Sequence, residues 1–89
     1  MKKLTLVIPA KYESESLPKV LTELKDYNLK TIVVLEKEDY ETISSIINFD
    51  CTILHQINKG YGSALIEGIN NVTTEYYCIF NADGSFDPK

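Results

Sequence analysis

The chain has 89 residues, 44% of them hydrophobic and 25% charged, a balance that suits one globular domain with a single core. A formal charge of −4 with no basic run argues against a nucleic-acid surface, and no apolar segment approaches membrane-spanning length. The lysines after Met1 precede a run of strand length, not a signal peptide. Cys51 and Cys78 lack ligand spacing and read as small buried residues, so the expected compartment is reducing and cytoplasmic.

Leu4 to Ile8 form a short apolar run stopped by Pro9, which predicts a first strand. Lys11 to Glu15 make a polar loop. Ser16 is placed to cap a helix, Pro18 suits its first turn, and Leu17, Val20, Leu21 and Leu24 recur at helical spacing. Asn28 suits the helix exit. Thr31 to Leu35 are apolar on both faces, as a central parallel strand is. Asp39 is positioned to cap a second helix that buries Ile43, Ile46 and Ile47, and Cys51 to Leu54 read as a third strand ended by His55.

Asn58 to Ser63, with Gly60 and Gly62, lead into a third helix with Ala64, Leu65, Gly68, Ile69 and Val72 on one side. Glycines before a helix start free backbone N–H groups for an anion, with Lys59 adding charge, although a plain tight turn accounts for the pattern equally well. Tyr76 to Phe80 predict a fourth, buried strand. It empties into a turn with Asn81, Asp83, Ser85 and Asp87, whose oxygens suit a divalent cation, while Gly84 permits the bend. The same composition also ends strands as a solvated turn.

Strands separated by helices of this size predict right-handed crossovers and a mainly parallel sheet. The expected fold class is α/β, a three-layer Rossmann-like β-α-β-α-β-α-β arrangement with strand order 3-2-1-4. The first and fourth strands then lie side by side, and Pro9–Glu13 and Asn81–Asp87 flank one crevice.

Three segments together resemble family 2 glycosyltransferases. Ile8-Pro9-Ala10-Lys11-Tyr12-Glu13 with Ser16-Leu17-Pro18 is similar to that family's opening strand and loop. Asn58-Lys59-Gly60-Tyr61-Gly62-Ser63-Ala64-Leu65 with Gly68 resembles its glycine segment, and Asn81-Ala82-Asp83 with Asp87-Pro88 resembles its Asp-x-Asp motif. The resemblance implies a GT-A fold, a nucleotide-diphosphate sugar donor, and Mg²⁺ or Mn²⁺. It places Pro9, Ala10, Tyr12, Glu13, Glu36, Gly62, Ser63, Asn81, Ala82 and Asp83 at the nucleotide-sugar site, with Asp83 and Asn81 holding the metal.

Departures from the family pattern carry expectations of their own. Glu36 stands where an aspartate commonly holds the base, and Lys11-Tyr12 replaces a common Tyr-Asn pair. Asn81 replaces the first aspartate of the acidic motif, which removes a charge and is expected to weaken metal affinity or shift more coordination onto water and phosphate.

No residue is placed to be the general base, so residues 1–89 are expected to be a single domain, the N-terminal nucleotide-binding part of a longer catalytic domain. Such a chain would bind without transferring. The acceptor is unassigned, with lipid-linked and polysaccharide classes in view, and the full-length parent is expected at the inner membrane face. The bare edge of the fourth strand is expected to favour self-association. The alternative is a non-catalytic α/β nucleotide-binding or protein-interaction module. A nucleotidyltransferase ranks third, because Pro9 to Glu13 contain no glycine.

Overall fold

The computed structural model describes residues 3–27, 29–81 and 86–87. Along the chain run β1 (Leu4–Pro9), α1 (Ser16–Leu24), β2 (Lys30–Leu35), α2 (Tyr40–Ile46), β3 (Thr52–His55), α3 (Tyr61–Asn70), β4 (Tyr76–Phe80) and β5 (Phe86–Asp87). The sheet order is β3-β2-β1-β4-β5. The first four strands are parallel, in the order expected, and β5 returns antiparallel to β4. The fold is α/β and Rossmann-like.

Alternation along the two central strands makes the layers. Leu6 and Ile8 of β1, with Val33 and Leu35 of β2, pack into one cluster with Leu17 and Leu21 of α1 and Ile46 of α2. Val7, Ile32 and Val34 point to the other face and meet Ala64 of α3 and Ile79 of β4. Ile32 to Leu35 are at most 1% exposed, so β2 is covered on both faces. Gly68 lets α3 sit close to the sheet. A Cβ there would stand 2.5 Å from Val7 Cγ1 and 3.0 Å from Val34 Cγ2.

Several local expectations are corrected. Ser16 is the first residue of α1 and not its cap; its hydroxyl donates to Glu13 Oε2 instead. Asp39 stands at the α2 cap position but makes no cap hydrogen bond, because its carboxylate is engaged elsewhere. Ile47 is 64% exposed, since α2 ends one residue earlier, and Thr42 takes a buried place on that helix. The Asn28 exit lies outside the described residues.

β4 is less buried than its composition implied. Ile79 is buried, but Tyr76 is 60% and Tyr77 36% exposed. The sheet contacts of α3 fall mainly on β1 and β2, which leaves the start of β4 thinly covered. Its edge is covered only in part, because Ile79 and Phe80 pair with Asp87 and Phe86. Among the described residues no helix is long and apolar enough to cross a membrane.

Candidate functional site

The carboxyl ends of the parallel strands open into one cleft of about 310 Å³, lined by Pro9, Ala10, Lys11, Glu13, Glu36, Gln56, Gly60, Tyr61, Ala64 and Asn81. Backbone ladders continue past the strand ends and align its floor. Ala10 N donates to Val34 O at 3.0 Å, and Gln56 N donates to Leu35 O at 2.7 Å. Glu36 follows Leu35 directly, so its carboxylate emerges between the ends of β1 and β3.

The loop after β1 is fixed from a distance. Tyr12 adopts a left-handed φ of 56°. That conformation costs a non-glycine residue about 1–2 kcal/mol. Its N–H donates to Asp39 Oδ2 at 2.7 Å, and the N–H of Glu13 donates to Thr42 Oγ1 at 3.0 Å. Asp39 and Thr42 are both buried, so these part-buried bonds are shielded from water on the acceptor side. Lys11 Nζ lies 3.8 Å from Glu36 Oε2 and 5.7 Å from the Tyr12 ring centroid.

The opposite wall is the segment before α3. Gly60 occupies the cap position with a φ of 105°, a conformation that favours glycine. Gln56 Nε2 donates to Asn58 O at 2.6 Å and Gly60 O at 2.8 Å. Glu67 accepts from the backbone N–H groups of Ile57 and Asn58 at 2.8 and 3.0 Å. The first turn of α3 carries neither an acidic side chain nor a side-chain cap. Its N–H ends therefore remain suited to an anion. At the mouth, the Tyr61 hydroxyl donates to Asn81 Oδ1 at 3.0 Å, joining α3 to the end of β4.

Of the anticipated site residues, Pro9, Ala10, Glu13, Glu36 and Asn81 line this cleft together. Tyr12 does not. Its left-handed backbone accompanies a ring that is 76% exposed and lines a separate hollow with Ser14, Glu38, Asp39, Tyr40 and Glu41. Gly62 and Ser63 are not among the lining residues either. The helix begins at Tyr61, which puts them in its first turn and brings Gly60 and Tyr61 to the cleft instead. Ala82 and Asp83, with Gly84, Ser85 and Pro88, lie outside the described residues.

Lys11, Gln56, Gly60, Tyr61 and Ala64 line the cleft without having been assigned to the nucleotide-sugar site, although all but Gln56 fall inside the quoted motifs. Gln56 follows a strand end, and that position was its only signal. Among the described residues no three His, Cys, Asp or Glu side chains cluster to hold a metal. Both cysteines are free thiols. Burial, and then the neighbouring Asp50 carboxylate, push the Cys51 thiol up from its ordinary value, which disfavours a reactive thiolate.

Residues 5–89 match the sequence model of Glycosyl transferase family 2. An uncharacterized glycosyltransferase of Mycobacterium tuberculosis is 31% identical over 83 residues, covering 93% of this chain and 38% of the relative. One from Mycobacterium bovis matches to the same extent. The chain thus spans 38% of the length of these curated relatives.

Proposed function

This chain belongs to glycosyl transferase family 2, and on that premise we propose that its cleft holds the nucleotide end of a nucleotide-diphosphate sugar. The observation that carries the reading is convergence. The ends of β1, β2, β3 and β4 and the start of α3 all line one cleft at the carboxyl edge of a parallel sheet. Pro9 and Ala10 give it an apolar wall, Glu13 and Glu36 supply acceptors for base and ribose, and the uncapped start of α3 faces a phosphate.

Asn81 and Asp83 would hold Mg²⁺ or Mn²⁺. The described part of that set fits a cation only weakly. Asn81 offers a neutral oxygen that already accepts from Tyr61, with one lone pair left. When bound, the cation stabilises charge on the departing diphosphate. In this reading the chain binds donor, and no residue of the cleft is given the task of deprotonating an acceptor.

Calorimetry with a nucleoside diphosphate tests the proposal, run with Mn²⁺ and again with chelator. Binding is expected to be tighter with metal. Asn81→Asp is expected to widen that difference by restoring a carboxylate. Absent binding, or binding indifferent to metal in both chains, would overturn the donor-site reading.

A further inference from the structure

A second hollow of about 230 Å³ opens at the amino edge of the sheet, at the far end of β2 from the cleft. Leu21 and Leu24 of α1, with Leu29 and Phe49, give it an apolar collar continuous with the core cluster on that face. Lys25 and Asp50, both exposed, set one charge of each sign at its mouth. The backbone around it is already engaged, since Leu29 N donates to Tyr27 O at 2.9 Å and Cys51 N to Phe49 O at 3.0 Å. Thr31 is the exception. It shares a face of β2 with Val33 and Leu35 and is only 8% exposed. The other buried polar side chains, Thr5, Asp39 and Thr42, each make a side-chain hydrogen bond. Among the described residues nothing hydrogen-bonds the Thr31 hydroxyl. That hydroxyl is not sealed from the surface, and the hollow it lines is where it opens. A buried hydroxyl without a partner is uncommon and costly.

We propose that this hollow is a second ligand site, taking a small uncharged molecule whose apolar body ends in one hydroxyl against Thr31. It is independent of the donor-cleft reading. The Leu and Phe collar takes the apolar body by removing it from water. A threonine hydroxyl both donates and accepts, so it matches a ligand hydroxyl in either sense. It carries no charge, and a charged ligand end at that depth would be desolvated without a counter-ion. At the mouth Lys25 and Asp50 offset each other, so neither sign of ligand is drawn in. The volume lies below the roughly 300 Å³ at which drug-sized sites begin, which limits the body to about one ring.

Amide NMR titration of the chain with phenol, toluene and benzoate tests this. Phenol is expected to shift the amides of Leu24, Leu29, Thr31 and Phe49 along a saturating curve, leaving Ala10, Gly60 and Tyr61 unmoved. Toluene, the same ring without the hydroxyl, is expected to bind about fivefold more weakly, and benzoate more weakly than phenol. Thr31→Val keeps the branched shape and removes the hydroxyl, so phenol should fall to the level of toluene while toluene is unchanged. Because that hydroxyl has no partner, the substitution should not lower Tm. Thr31→Ser retains the hydroxyl and should keep the advantage of phenol over toluene. Shifts that never saturate and spread over the surface would overturn the site. So would equal binding of phenol and toluene, benzoate binding as tightly as phenol, or an unchanged phenol affinity in Thr31→Val.

Discussion

The two walls of the cleft are held in opposite ways. Lys11 to Glu13 lean on α2, where Asp39 and Thr42 are buried and accept backbone N–H groups across long sequence separations. Gln56 to Gly60 are tied by Glu67 and by Gln56 itself, at exposed positions close in sequence. Water competes more for the second set of bonds, which is exposed, than for the first, which is part-buried. The loop that carries Lys11 and Glu13 is thus built into the core, whereas the glycine wall is attached to its surface. Local opening should accordingly begin at the glycine wall.

The largest effect is expected where the second wall does meet the core. Gly68→Val places a branched side chain where even a Cβ would stand 2.5 Å from Val7 Cγ1. Val7 and Val34 are fully buried between strands and cannot move aside. Overpacking of this kind should cost about 3 kcal/mol in urea unfolding. A loss below about 1 kcal/mol would show that α3 can lift from the sheet, and that its seat is as loose as the loop before it.

Asp39→Ala comes next. It leaves the Tyr12 N–H without its acceptor while the left-handed backbone persists, which should cost about 2 kcal/mol. Asp39→Asn keeps an acceptor oxygen and should recover most of that. Tyr12→Gly in the alanine background should also recover part, by removing the left-handed penalty. If glycine restores nothing, the carboxylate supports the loop by some route other than the Tyr12 turn.

What the sequence made legible follows from how far each signal reaches. Periodicity located β1 to β4 and the three helices, because the alternation of Leu6, Val7 and Ile8 and the spacing of Leu17, Val20, Leu21 and Leu24 are local patterns. Parallel pairing followed from connection length, whereas the strand order rested on the switch-point arrangement of such sheets. Asp39 was legible only as a cap, since its real partner, Tyr12, lies 27 residues away and no local rule links them. The burial of β4 was overstated because aromatic, β-rich composition does not say which helix covers a strand. Lys11 and Gln56 escaped assignment for a related reason. Each is an ordinary polar residue until the ladders at Ala10 and Gln56 bring three strand ends together.

The smallest expected effect is the most direct probe of the second wall. Glu67 uses both carboxylate oxygens, one for Ile57 N–H and one for Asn58 N–H. Glu67→Gln retains one acceptor oxygen and sets an amide donor against the other N–H, so one bond is lost and one conflict gained. Because both bonds are exposed, the cost to global stability should stay below about 1 kcal/mol. The change should appear as faster hydrogen exchange at Ile57 and Asn58, with Tyr12 and Glu13 unaffected. If Tyr12 and Glu13 accelerate as well, the two walls open as one unit, and the contrast between a core-built loop and a surface-tied one is wrong.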